Sequence, residues 1–347
     1  MRRAASQNLL RCGGFAPGAD LLVVAEDPSH GWYEPGLAQD FADDARAEGF
    51  FPTLITTTAI DRGEDAALDA AIAEAGNIVF FARVGDRARF SAATGPRIVM
   101  VYATERALYA SPYGTLDHAD LARLKDAIDA ATFAARDISI TCPLGTHLRG
   151  AIDEGVPPAD VTVRRFPLGV PAPIPAATFS GTVRLAHALA PTGSRVYAPA
   201  TLPLPSPLTV ALAGGRWRAA GGDPALTRAM GEHYAAVAGR FAIDGAIVHS
   251  FHAGFHPGAG THRPAADDYD RWANTVFMSA RFLHFHTCGA YAPGEICWMI
   301  KDPTINLDGA AVWRGGTFDL DAHPTIAAAA SPALRAAFSA PNRVVGL

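Results

Sequence analysis

The feature that most restricts the fold is a regular alternation of strand-like and helix-like segments in the first half of the chain. The strand-like runs are apolar and fall at residues 20–27, 51–58, 76–84, 97–103 and 138–148. Strands joined by helical segments of roughly 10–15 residues form parallel sheets with helices on both faces. The pattern therefore predicts an α/β N-terminal domain with a mainly parallel sheet.

The composition changes near Gly150, where proline and glycine become frequent and short β-rich runs replace the alternation. Helical periodicity returns at residues 223–241 and 265–282. Short strands with turn signals beside isolated helices are typical of α+β structure. We predict two domains, an α/β domain at 1–150 and an α+β domain at 151–347 that carries the functional site.

Composition excludes several classes of function. The net charge of -5 gives no basic footprint for nucleic acid, and no apolar run reaches the roughly 18–20 residues of a membrane span. No glycine-rich phosphate-binding motif follows the first strand. Four cysteines are too few for a disulfide framework, and the start of the chain lacks the apolar core of a signal peptide. We expect a cytoplasmic protein with a small-molecule substrate and no nucleic-acid or membrane partner.

Oligomeric state stays open at this stage. A predicted hairpin at 212–222 and the apolar tail at 327–347 could pair subunits in a homo-oligomer. A solvated helix and a packed tail would explain the same residues equally well.

Half of the twelve histidines lie between residues 249 and 286. Imidazole is the commonest protein ligand for transition metals at neutral pH. His284 and His286 alternate, as do Glu295 and Cys297, so each pair shares one face if its segment is extended. Two histidines and a carboxylate form the set of non-haem Fe(II) oxygenases, while histidine and cysteine together suit zinc.

The spacing alone does not identify a metal. The HExxH and CxxC patterns are both absent, and a single histidine is more often a hydrogen-bonded structural residue than a ligand. Cys288 and Cys297 are typical of buried thiols. The histidines therefore predict a polar functional site as a group rather than one by one.

Several segments resemble those of one known family over residues 8 to about 312. They read NLLRCGGFAPGADLLVVAED, ISITCPLGTHLRG, FSGTV, AGGRWRAAGG, HAGFHPG and MIKDPTINLDG, in that order. Together they resemble the aminopeptidase T-like metallopeptidases, the thermophilic leucyl aminopeptidases. The same fold is shared by the 2,5-dihydroxypyridine 5,6-dioxygenases, which are iron enzymes of nicotinate breakdown. The short chain and the absence of the peptidase glutamates make the dioxygenase branch the nearer one.

The chain departs from both branches at the metal motif. Counting back from Leu307, Glu295 and Cys297 stand where the family has a His-x-Asp pair, and His147 stands in place of an aspartate. His256 matches the histidine of the dioxygenase-like HPG segment. The resemblance thus implies a divergent member in which Glu295 could replace the histidine ligand and Cys297 the aspartate, or in which neither residue binds metal.

From the residues and the resemblance together we predict the metal ligands His256, His286 and Glu295. His252 or His284 would carry the proton, and His147 is a further catalytic candidate. The expected cofactor is a divalent metal, Fe(II) first, with zinc and manganese as alternatives.

Three functions are compatible with this prediction. The first is a mononuclear metal enzyme that acts on a small aromatic or heterocyclic substrate, as a ring-opening Fe(II) dioxygenase does. The second is a metal-dependent hydrolase, either aminopeptidase-like or acting on an amide or a ring. The third is a non-catalytic relative that binds a small ligand at a degraded metal site. One fold hosts many chemistries, so the resemblance does not choose among them.

Overall fold

The computed structural model describes residues 1–60, 65–88, 95–159, 163–191, 197–291 and 293–347. The described residues form two compact units. Unit 1 is built from Met1–Ala122 and Val161–Leu168, and unit 2 from Arg123–Asp160, Gly169–Thr192 and Val196–Leu347. The change of composition near Gly150 lies within unit 2, and the division into domains at 1–150 and 151–347 stays a prediction.

The bounds of the elements are as follows. The strands are β1 (Asp20–Glu26), β2 (Phe51–Thr57), β3 (Asn77–Phe81), β4 (Arg97–Val101), β5 (Ile138–Thr141), β6 (His147–Gly150), β7 (Arg164–Phe166), β8 (Ile174–Pro175), β9 (Ser180–Ala190), β10 (Leu202–Ala213), β11 (Arg216–Gly221), β12 (Val248–Ala253), β13 (Phe282–Cys288), β14 (Glu295–Lys301), β15 (Thr304–Leu307), β16 (Ala310–Arg314) and β17 (Thr317–Phe318). The helices are α1 (Arg2–Gly13), α2 (Leu37–Ala47), α3 (Ala66–Glu74), α4 (Arg106–Tyr109), α5 (Pro112–Thr115), α6 (His118–Ala134), α7 (Pro224–Phe241), α8 (Tyr269–Val276), α9 (Pro324–Ala329) and α10 (Pro332–Ser339). Within the described residues, none of these helices has both the length and the apolar character that crossing a membrane requires.

Unit 1 contains the parallel sheet that the alternation predicted. Its strand order is β2-β1-β3-β4-β7, and each adjacent pair is parallel. Leu21, Val23 and Val24 of β1 are buried, and such a near-continuous apolar run suits a strand covered on both faces. The predicted α/β class of the N-terminal part is therefore confirmed for β1 to β4.

The prediction of a fifth parallel strand at 138–148 was wrong. The segment divides into β5 and β6, which pair with each other in antiparallel orientation and belong to the sheet of unit 2. Pro143 has no N–H to donate, and Gly145 has a φ of 98°, which a residue with a Cβ rarely adopts. The two residues make a turn, and β7 takes the place next to β4.

Unit 2 is built on an antiparallel sheet of the order β17-β16-β15-β5-β6-β9-β14-β13-β12-β8, with β10 pairing β9 and β11. The helix predicted at 223–241 is α7, and its first turn is capped by Asp223, whose side chain accepts from the N–H groups of Ala225 and Leu226. The helix predicted at 265–282 is shorter, since α8 follows a 3-10 turn at Ala265–Asp267. Strands and helices together confirm mixed α and β structure here.

The central strands of unit 2 bury an aromatic layer on one face. The ring centroid of Phe285 lies 5.0 Å from that of Phe251 and 5.5 Å from that of Trp298. The indole of Trp298 donates to the hydroxyl of Tyr234 on α7 at 2.7 Å. Because successive side chains of a strand point to opposite faces, this packing leaves the other face of β12 and β13 to the histidines.

Candidate metal centre

Strand register brings three histidines to one face of the sheet. β12 and β13 are antiparallel, and His252 pairs directly with His284. His286 lies two residues further along β13, so its side chain points to the same face. Phe251 and Phe285 alternate with these histidines and are fully buried on the opposite face. The alternation of phenylalanine and histidine along β12 and β13 therefore buries one face of these strands in the core and gathers the histidines on the other face.

These three residues, the His cluster, lie close enough to share one ion. Within the part of the chain that the structure describes, they are the one group of three or more His, Cys, Asp or Glu side chains whose ligand atoms all lie within 4.8 Å of one another. The ring centroids of His252 and His284 are 4.1 Å apart, and each lies 5.2 Å from that of His286. His252 is 4% exposed and His284 1%, whereas 12% of the His286 side chain reaches the surface.

Hydrogen bonds on the far side of two rings fix which nitrogen faces the cluster. The Nδ1–H of His252 donates to the Pro171 carbonyl at 2.8 Å, because a carbonyl can only accept. Nδ1 of His286 is bonded to a carboxylate oxygen of Glu295. When each neutral ring carries its one hydrogen on Nδ1, the Nε2 lone pairs of the two rings face each other. These two Nε2 atoms are 3.2 Å apart.

This separation fits two ligands of one ion. Two nitrogens about 2.1 Å from a metal, at angles between roughly 90° and 110°, lie about 3.0–3.4 Å apart. Partners that fix the tautomer through the other ring nitrogen are also the usual companions of metal-bound histidines. The donor set and its orientation therefore fit a divalent transition metal.

The surroundings of the cluster are mostly apolar. The ring of Phe277 meets that of His284 edge-on, with centroids 5.5 Å apart. Cys297 pairs with His286 across β13 and β14 and is fully buried. Burial, and secondarily the charge of Glu295, raises the pKa of the Cys297 thiol well above its usual range, and its Sγ lies 3.5 Å from the Trp298 carbonyl. Cys297 is thus a buried thiol in this structure, and its sulfur is not among the clustered ligand atoms.

The predicted site residues fall in different places. His252, His284 and His286 come together, although only His286 was predicted as a ligand. Glu295 is bonded to His286 but stands outside the group of ligand atoms. His256 also stands outside the group of ligand atoms. Its backbone N–H donates to the Met278 carbonyl at 2.8 Å, and its ring Nδ1 accepts from the backbone N–H of Gly258 at 3.0 Å.

His147 is not brought to the cluster. It is exposed on β6, where it pairs with Thr182 of β9. Cys297, which pairs with His286 of the cluster, pairs on its other side with Ala190 of β9. Thr182 and Ala190 are eight positions apart, which is about 26 Å along a strand. The catalytic role of His147 stays a prediction that this geometry does not support.

One participant could not have been found in the sequence. The Pro171 carbonyl that orients His252 is a backbone group, present at every residue, and 81 positions separate the two residues. The bond of Glu295 to His286 was partly visible, because alternation placed Glu295 and Cys297 on one face of an extended segment. Which histidines meet was decided by the register of β12 against β13.

Comparison with known proteins finds no matching family model and no matching curated protein, whereas solved structures do match. The 2,5-dihydroxypyridine dioxygenase from Pseudomonas putida KT2440 aligns over 92% of this chain and 96% of its own, with 13% sequence identity and a TM-score of 0.59. Wild-type AmpT from Thermus thermophilus aligns over 91% of this chain and 99% of its own, with 12% identity and a TM-score of 0.47.

The first likeness establishes the fold. The chain has the fold of the Pseudomonas dioxygenase over nearly its whole length, so the resemblance to that branch is confirmed as a relation of fold at low sequence identity. The chain is therefore a mixed α/β protein with this fold, and three of its histidines cluster so that they could hold a metal.

Proposed function

We propose that this chain is a mononuclear metal-dependent enzyme in which His252, His284 and His286 hold one divalent metal. The observation that supports it is the 3.2 Å approach of two Nε2 atoms whose other ring nitrogens are both hydrogen-bonded. Two neutral imidazoles with these tautomers repel each other at that distance unless a cation or a proton lies between them. A third imidazole within 4.8 Å makes a metal ion the better occupant.

The first candidate reaction is a ring-opening dioxygenation of a small aromatic or heterocyclic substrate, with Fe(II) as the metal. The solved structure of the same fold is a dioxygenase that acts on 2,5-dihydroxypyridine, which supports this class. A bound Fe(II) would supply redox chemistry with O2 and Lewis acidity towards a hydroxylated ring.

The chain's own residues would prepare this site. His252 and His286 keep their lone pairs aimed at one point, held by the Pro171 carbonyl and the Glu295 carboxylate. Phe277 and the strand pairing exclude water from the side of His284. Because the His286 side chain is 12% exposed while His252 and His284 are buried, a small substrate would approach from the side of His286. This assignment makes His252 and His284 ligands instead of the proton carriers first predicted.

A second candidate is a one-metal hydrolase. Three histidines with an open fourth position form the zinc set of carbonic anhydrase, in which the pKa of bound water falls to about 7. The all-imidazole donor set favours this candidate, because the typical ligand set of non-haem Fe(II) oxygenases is two histidines and one carboxylate. The metal that the purified protein contains separates the two.

The test is elemental analysis of protein purified anaerobically, for the wild type, His286→Ala and His262→Ala. His262 is an exposed histidine outside the cluster and controls for adventitious surface binding. Near-stoichiometric iron that is lost only in His286→Ala supports the oxygenase, and O2 uptake with dihydroxylated rings follows. Zinc or manganese with the same loss moves the proposal to hydrolysis. No metal, and no thermal shift with Fe(II), Mn(II) or Zn(II), overturns it and leaves a ligand-binding relative.

A further inference from the structure

Glu295 is a buried carboxylate with a defined position. It is the first residue of β14, pairs with Cys288 of β13 and is 2% exposed. Its own backbone is held as well, since the hydroxyl of Tyr197 donates to the Glu295 carbonyl at 2.5 Å. An ionised carboxylate in such a place is costly unless it has a hydrogen-bond partner. The structure supplies that partner as Nδ1 of His286.

The bond to His286 places Glu295 behind the ring as seen from the cluster. The Nε2 atom of His286 faces His252, whereas the carboxylate is on the Nδ1 side. The two nitrogens of an imidazole point outward at a wide angle. An oxygen bonded to Nδ1 therefore lies about 6–7 Å from an ion about 2.1 Å from Nε2. Glu295 cannot ligate that ion while this bond is made.

We propose that Glu295 is a positioning residue that fixes the tautomer and orientation of His286 and strengthens Nε2 as a donor, and that it is not itself a metal ligand. This inference rests on the proposed metal function. A carboxylate behind an imidazole makes the ring a stronger base towards a metal. Glu295 thus serves the site without occupying the ligand position that the resemblance assigned to it.

The two bonded histidines are held by partners of different charge. His252 donates to a neutral carbonyl of Pro171, and His286 donates to a carboxylate. The carboxylate polarises its imidazole more strongly because charge-assisted hydrogen bonds are the stronger kind. His286 is thereby the stronger donor of the pair, and the negative charge of Glu295 favours a cation over an empty site.

The experiment uses Co(II) as the probe, because its visible spectrum reports the number and type of its ligands. The full-length wild type, Glu295→Gln and His252→Ala are titrated with Co(II), and affinity is measured by competition with a chromophoric chelator. Glutamine keeps an oxygen that accepts from Nδ1 but removes the charge. His252→Ala shows how the loss of a ligand changes the spectrum. Asp302→Asn is the control for removing a partly buried carboxylate from the same unit, where Asp302 pairs with Arg281.

We expect Glu295→Gln to keep the Co(II) band positions of the wild type and to bind Co(II) about 10–100-fold more weakly. Asp302→Asn should keep both properties of the wild type. If the spectrum of Glu295→Gln changed as that of His252→Ala does, Glu295 would be a ligand. If Glu295→Gln bound Co(II) within twofold of the wild type, Glu295 would only form a structural ion pair. Either result overturns the inference and leaves the metal site in place. A wild type that binds no Co(II), Fe(II) or Zn(II) overturns the proposed function itself.

Discussion

The buried ion pair of unit 1 allows a stability prediction to be worked from the structure. Arg83 follows β3 and Glu26 ends β1, and their side chains are 3% and 1% exposed. The guanidinium Nη2 donates to Glu26 Oε1 at 2.6 Å, and the backbone N–H of Arg83 donates to Oε2 at 2.9 Å. Arg83→Met removes the guanidinium but leaves the carboxylate buried, which costs about 3–5 kcal/mol. That is a large part of the roughly 5–15 kcal/mol that stabilises a typical protein.

Urea denaturation followed by fluorescence measures this loss. The Arg83 guanidinium lies 4.2 Å from the ring centre of Trp32, so Trp32 reports on unit 1, and a Trp32→Phe background subtracts the signal of the other tryptophans. The double variant Glu26→Gln/Arg83→Met should recover most of the lost stability, because it no longer buries an unpaired charge. A single variant within about 1 kcal/mol of the wild type, or a double variant no more stable than the single one, would refute the reasoning.

Three further predictions concern unit 2. Saturation with metal at 100 times its Kd should stabilise the protein by about 2.7 kcal/mol and raise Tm by roughly 5–10 °C in differential scanning calorimetry, and His284→Ala should abolish the shift. Burial lowers the pKa of His233, so the unfolded chain binds a proton more readily than the folded one. The free energy of unfolding is therefore unaffected by His233 above about pH 6.5 and falls as the pH drops through the folded pKa. His233→Gln should flatten that slope when urea titrations at pH 5 and pH 7 are compared. A Cβ on Gly254 would lie 2.3 Å from the Met278 carbonyl carbon, so Gly254→Ala should destabilise by about 1–3 kcal/mol in urea, and a wild-type midpoint would contradict this close approach.

The sequence predicted the parallel sheet well because its strands are local and nearly uniformly apolar. β1 and β3 are read directly from runs such as DLLVVAE and NIVFF. The segment 138–148 was misassigned because its apolar ends look like one strand, although the turn around Gly145 separates two. Whether such a segment continues a parallel sheet or joins another one depends on pairing between distant residues, which periodicity does not contain.

The candidate site was predicted as a region but not as a set of ligands. Alternation correctly placed His284 and His286 on one face. The partner His252 was set by the register of β12 against β13, which a shift of one residue would have reversed. Glu295 was predicted as a ligand by the resemblance, while the structure bonds it to Nδ1 of His286. Single-sequence patterns give the faces of strands, and the hydrogen bonds that assign a role to each side chain form only in the fold.

The most direct test of the account is to locate the metal in a crystal. Crystals soaked anaerobically with Fe(II), Co(II) or Zn(II) would be measured at the absorption edge of the metal, and the anomalous difference density would mark its position. We expect one strong peak about 2.0–2.2 Å from an imidazole nitrogen of each of His252, His284 and His286, with Glu295 remaining on Nδ1 of His286. A peak bound by His256 or directly by Glu295, or no peak in the His cluster in any of the three soaks, would contradict it.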